Sequence, residues 1–178
     1  MEIVIRQEHP NENIETQNVV KKAFADVEMS SHDEHELVER LRKSDAFVPE
    51  LSLVAVDQEQ NAIIGHIILT KIKVKGHHGE VDSLALAPVS VLPGYQKRGI
   101  GSQLCLEALR VAKAHGFESV FVLGHPAYYP RFGFEKASDF DIQPPFDVPD
   151  EVFMALELKE DALSNVSGVI EYSSAFDG

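Results

Sequence analysis

The residues with the plainest chemistry are Gln96-Lys97-Arg98-Gly99-Ile100-Gly101, which follow an apolar stretch and open an amphipathic one. Glycines at a helix start leave main-chain N–H groups bare, and those groups together with the helix dipole attract an anion. A pyrophosphate suits such a loop. Two well-known phosphate loops fail on spacing. A Walker A loop places Ser or Thr after Gly-Lys, whereas Gly101 is followed by Ser102-Gln103. A dinucleotide fingerprint wants a small residue three positions past Gly101, where Leu104 stands. What remains is Gln-x-x-Gly-x-Gly, a pattern that also fits a glycine-rich turn with no ligand.

Other reactive side chains are scattered. His125 follows a short apolar run and is placed to orient a substrate or carry a proton. His77-His78 in a glycine-flanked loop, and His32 with His35 beside Glu36, have metal-binding side chains but no evident third ligand, so no metal is expected. Cys105, four residues past Gly101, suits a buried helix face better than a nucleophile.

The elements that position these groups follow from periodicity. Residues 2–6 and 51–57 alternate as strands, and 62–74 follows the second of these across the polar turn Gln58-Glu59-Gln60-Asn61, so the two form a hairpin. The stretch 11–26 carries apolar residues at Ile14, Val19, Val20, Ala23, Phe24 and Val27, and their helical spacing from Val19 onward predicts an amphipathic helix. Ser31-His32-Asp33-Glu34 has the form of a capping box, with Leu37, Val38 and Leu41 on the buried face of the helix that follows. Residues 80–92 are apolar on both faces, which predicts a central strand. Pro88 lies inside it, and a proline there predicts a bulge that frees main-chain groups beyond it. A helix over 99–115 ends at Gly116 and a buried strand occupies 119–123. One or two helical turns over 126–132 stop at Gly133, 136–150 is a loop, and 151–158 and 168–176 are strands. The order is β-α-α-β-β-β-α-β-α-β-β, with a βαβ unit at the heart of a mixed sheet.

The chain of 178 residues, 44% apolar and 25% charged, fits one domain over 1–178 with its own core. No apolar run is long enough to span a membrane. The start, Met1-Glu2-Ile3-Val4-Ile5-Arg6, is too acidic and strand-like for a signal peptide, and a single cysteine fits a reducing cytoplasm. A net charge of −13 repels nucleic acid; it favours cationic partners such as amines, or serves solubility alone.

Three segments carry a resemblance to the GNAT acetyltransferase superfamily, in particular to a bacterial branch of predicted N-acetyltransferases. Val91-Leu92-Pro93-Gly94-Tyr95-Gln96 through Gly101 is similar to the family's strand and pyrophosphate loop. Tyr129-Pro130-Arg131-Phe132-Gly133-Phe134 is similar to its Tyr-x-x-x-Gly-Phe segment. Residues 148–158 followed by 168–176 resemble the ending of that branch. The resemblance implies an α/β (mixed α+β) three-layer fold: a mostly antiparallel mixed sheet, with a central splayed parallel strand pair, flanked by helices. It implies acetyl-CoA as co-substrate, with pantetheine between the splayed strands on main-chain groups of Val89 and Val91. The pyrophosphate then rests on the loop Gln96, Lys97, Arg98, Gly99, Ile100, Gly101 and Ser102. His125 stands near a position where many members have an asparagine that contacts the coenzyme, so that contact is in question.

The implied reaction moves an acetyl group to a primary amine of a small molecule or peptide, by direct attack in a ternary complex. Tyr129 matches the tyrosine that the family places near the coenzyme sulfur and is the expected proton donor, with Tyr128 its rival. Glu80 and Asp82 stand where the family sometimes places a carboxylate, as base or as holder of a water; a plain pair of exposed strand-end acids is the alternative, and the slightly preferred one. The Val91 N–H is the expected oxyanion donor. A coenzyme-binding module without turnover, or a transferase with another acyl donor, fits the same loop. The state is expected to be monomer or homodimer.

Overall fold

The computed structural model describes residues 2–28, 30–77 and 79–177. Its strands form one mixed sheet: β1 (Ile3–Gln7), β2 (Phe47–Asp57), β3 (Ala62–Gly76), β4 (Gly79–Val91), β5 (Ser119–Leu123), β6 (Glu135–Lys136), β7 (Ile142–Gln143), β8 (Phe153–Glu157) and β9 (Gly168–Glu171). The path runs β1-β2-β3-β4-β5-β8-β6, and β9 pairs with both β3 and β7. β4 and β5 run parallel, while β1 to β4 and β5 to β8 are antiparallel neighbours. Helices α1 (Asn13–Phe24), α2 (Glu34–Arg42) and α3 (Ile100–Ala114) complete the fold. The mixed sheet and flanking helices are those expected.

The layers follow from side-chain alternation. Ile100, Leu104, Ala108 and Ala112 of α3 pack on Leu53, Ile67, Leu84, Leu86 and Val120. On another face, Val20 of α1 and Val38 and Leu41 of α2 cover Ile68. Ile14 of α1 is 81% exposed, and Thr16 is buried. No side-chain cap bond forms at Asp33, the residue before α2; Ser31 hydrogen-bonds Asp33, and Ser30 donates to Glu34. The expected capping box is therefore replaced by two local serine bonds.

The second half departs most from expectation. The turns over 126–132 reduce to a 3-10 segment, Tyr129–Phe132, because Pro130 cannot donate and Gly133 takes φ +100°. The loop over 136–150 contains β7 and a 3-10 turn, Ala137–Phe140. The last expected strand ends at Glu171, and the chain then turns through Ser174–Asp177 and docks on α2, where Arg40 Nε donates to the Ala175 carbonyl at 2.8 Å.

Beneath α1 and α2 lies a buried polar chain. Arg42 pairs with Glu8 at 2.6 Å, and Glu8 accepts from Ser52, which meets His66 Nε2 at 2.9 Å. Burial, with Arg42 nearby, pushes the His66 imidazole down to about 3. The unfolded chain binds a proton at this histidine below its ordinary value near 6.5, and the folded chain does not until about pH 3. Stability from neutral His66 is thus complete above pH 6.5 and falls on acidification by about 1.4 kcal/mol per pH unit. Denaturant titrations between pH 6 and 4 should show this slope, and His66→Gln, which keeps a group for Ser52, should flatten it.

Candidate functional site

The site begins with the proline bulge. Register pairs Leu69 with Leu86 and Ile67 with Val89, so Ala87 and Pro88 together oppose Ile68. The peptide between Ala87 and Pro88 is cis. Before the bulge, β4 and β5 are held together: Ser83 Oγ lies 2.7 Å from Ser119 Oγ, and Leu84 and Ala85 pair with Val120 and Phe121. Past Ala85 no β4–β5 pairing continues, and β5 keeps to β8 through Val122 and Leu123. The expected splay is present at the expected proline.

Alternation then decides which main-chain groups face the gap. Leu92 N–H donates to the Ile64 carbonyl at 2.9 Å, which makes 92 and 64 a hydrogen-bonded pair. Two residues back, Ser90 opposite His66 is of the same kind. Val89 and Val91 fall at the intervening positions, so their N–H and C=O groups turn away from β3, to the side that β5 has left. Gln96 Nε2 donates to the Val91 carbonyl at 3.0 Å, folding the loop back onto the strand end.

The loop itself is anchored at Tyr95, whose hydroxyl donates to Asp57 at 2.7 Å. That bond, aided by the Glu59 N–H, holds the Asp57 carboxyl below its ordinary value. Lys97 and Gly99 both take the left-handed conformation, φ +64° and +80°, and the chain enters α3 at Ile100. A Cβ at Gly99 would meet nothing within 4 Å, so its glycine serves the turn and leaves the approach open. The first α-helical bond runs from Gln103 N–H to the Gly99 carbonyl, leaving the N–H groups of 99–102 without partners in the helix. Gln96, Lys97, Arg98 and Gly99 are exposed, and the Arg98 guanidinium lies 5.8 Å from the Tyr95 ring centre. Ile100 is buried, so only its main chain faces the loop.

Tyr128, just before the 3-10 segment, and Tyr129, its first residue, lie beside this helix end. Tyr128 is half-buried, with its hydroxyl 3.1 Å from Ser102 Oγ. Tyr129 is 9% exposed and meets Tyr128 and Phe134 edge to face. Burial raises the Tyr129 hydroxyl, with Cys105 and Tyr128 adding to the effect, and among the described residues it has no hydrogen-bond partner. Cys105 is buried and its thiol is pushed up to about 12, which keeps it protonated and unreactive. His125 is exposed; its Nδ1 accepts the Ala127 N–H at 3.1 Å and its carbonyl accepts the Tyr128 N–H, so it shapes the turn that carries both tyrosines.

The carboxylates of β4 are elsewhere. Asp82 pairs with Lys73 at 2.8 Å, and Glu80 lies 3.4 Å from Lys75 and 3.7 Å from Lys73. Both are exposed, and Asp82 is five residues before Ala87, about 17 Å along an extended strand. Neither reaches the parted strands. The register sets each opposite a lysine of β3. Among the described residues no group of three or more His, Cys, Asp or Glu gathers for a metal, and His78 lies outside the described residues.

Comparisons with known proteins bear on this geometry. The profile of the acetyltransferase (GNAT) family matches residues 21–134. The chain belongs to the GNAT acetyltransferase family. It is an enzyme of the N-acetyltransferase class. N-acetyltransferase YhbS of Escherichia coli, itself uncharacterised, is 32% identical over 98% of this chain and 99% of its own. The crystal structure of YhbS in complex with CoA superposes with a TM-score of 0.88, at 30% identity over 99% of this chain and 92% of that one. A GNAT acetyltransferase from Brucella melitensis in complex with acetyl-CoA gives 0.81, at 32% identity over 99% of each chain.

Several residues around this GNAT site were invisible to motif reading. Asp57 sits on a distant strand, and only the fold brings it to Tyr95. Gly124 is another: a Cβ there would stand 2.4 Å from the Tyr129 ring. Gly124→Ala should displace that ring and destabilise the protein by about 1–3 kcal/mol, measured by denaturant unfolding, with a changed near-ultraviolet dichroism.

Proposed function

We propose that the protein transfers the acetyl group of acetyl-CoA to a primary amine by direct attack within a ternary complex. The observation that carries this reading is the parting of β4 and β5 directly ahead of the unpartnered N–H groups at the start of α3. The residues present fit the coenzyme. Val89 and Val91 offer main-chain groups to an extended amide chain, as an added strand would. The N–H groups of 97–102, with the charges of Lys97 and Arg98, suit a pyrophosphate. The CoA and acetyl-CoA bound by the two relatives support the same choice.

When bound, acetyl-CoA supplies a thioester carbonyl open to a neutral amine. The Val91 N–H offers a donor for negative charge on the carbonyl oxygen. As the C–N bond forms and the C–S bond breaks, the electron pair leaves on sulfur. Tyr129, protonated throughout the neutral range, gives that sulfur a proton. The amine's proton goes to water, since neither Glu80 nor Asp82 is at hand to take it. A small molecule or a peptide end fits the acceptor role.

Tyr129→Phe should lower kcat at least about tenfold while leaving the acetyl-CoA Kd within about twofold, by thiol release and calorimetry. Tyr128→Phe, which loses the contact to Ser102, should act mainly on coenzyme affinity. Because burial raises the Tyr129 hydroxyl, kcat should show no alkaline fall below about pH 10. Unchanged kcat in Tyr129→Phe would remove the proton-donor role. Absence of acetyl-CoA binding to folded protein would remove the whole reading.

A further inference from the structure

A second opening adjoins the parted strands and belongs to no loop motif. It is a cleft of about 760 Å³, floored by Ala85, Leu86 and Ala87 of β4 and by Phe121 and Leu123 of β5. Ala87 and Leu123 lie just beyond the last β4–β5 pairs, so the cleft meets the gap where the strands separate. Its volume is in the range of small-ligand sites.

The outer wall is aromatic. Phe146 stacks on Tyr172 with ring centres 6.0 Å apart, and Tyr172 meets Phe176 at 5.1 Å. Phe146 is 43% exposed and Leu123 45%, although both line the cleft. Large apolar side chains left this open around one cavity mark a surface made to be covered. The rim adds a net negative charge. Lys75 is answered by Glu171 at 2.6 Å and by Glu80 at 3.4 Å. Asp177, also on the rim, has no ion-pair partner among the described residues.

We infer that this cleft holds the acceptor and selects a primary amine carried on an apolar body the size of an aromatic ring. The inference rests on the transferase reading above. The ring covers Phe146, Tyr172 and Leu123, Asp177 draws the ammonium form to the rim, and the neutral amine reaches the gap at Ala87. A polyamine or an amino alcohol leaves the aromatic wall exposed to water and gains only the one carboxylate.

The test compares 2-phenylethylamine and n-hexylamine with ethanolamine and spermidine, by thiol release from acetyl-CoA, with calorimetry of acetyl-CoA binding on the same protein. The expected result is a kcat/KM for the two apolar amines at least about tenfold above that of the polar ones. Phe146→Ala, at a half-exposed position, should raise the 2-phenylethylamine KM about tenfold and leave the acetyl-CoA Kd unchanged. Asp177→Asn should raise KM for every amine. Equal or better turnover of ethanolamine or spermidine, or an unchanged KM in Phe146→Ala, overturns the acceptor class while acetyl transfer stands. Bound acetyl-CoA with no thiol released by any amine overturns the transferase reading and this inference with it.

Discussion

One residue too many in β4 decides the geometry of the molecule. Ala87 and Pro88 share a single partner position on β3, and beyond them the strand no longer follows β5. The closed end of the pair is fixed just as firmly, by the buried Ser83–Ser119 contact and by two register pairs. A strand pinned at one end and diverted part-way must diverge. The diversion leaves main-chain groups of a central strand unpaired, which is costly in a closed interior and becomes favourable only where a ligand or water supplies partners.

The remaining parts are arranged around that divergence. α3 packs against β2, β3 and β4 through Leu104, Ala108 and Ala112, which fixes its N-terminus beside the strand end. Tyr95 on Asp57 and Gln96 on Val91 hold the connecting loop from two sides, so its N–H groups are presented by a braced turn. The 3-10 segment comes off β5, the other arm of the gap, and carries Tyr128 and Tyr129 back against α3. Both arms thus deliver chemistry to one place, the first through main-chain groups and the second through side chains.

Much of this was legible because it depends on local rules. A proline inside an apolar strand implies a bulge, glycines ahead of a helical period imply a bare helix start, and both positions came from the sequence correctly. The surroundings of the carboxylates depend on more. Glu80 and Asp82 share a face by alternation, but which lysines stand opposite depends on the β3 register, which no local pattern specifies. The C-terminal stretch misled for a similar reason. Residues 168–176 alternate as a strand, yet pairing lasts only to Glu171, and beyond it Arg40 of α2 holds the Ala175 carbonyl. Tyr172 and Phe176, which alternation sets along one strand face, instead meet edge to face across a turn.

Charge distribution completes the picture. A chain of net charge −13 repels a polyanion at long range, and Lys97 and Arg98 stand adjacent and exposed on the loop ahead of α3. Salt screening over about 8 Å lets such a pair act locally against the field of the whole. On the proposed reading, the loop therefore recognises its diphosphate at short range, through aligned N–H groups and two cations. The acceptor side has no such local reversal: its one lysine is neutralised by two glutamates, so the overall negative field extends to the cleft. A cationic amine and an anionic coenzyme then approach different sides of the same gap with little competition for each other's subsite.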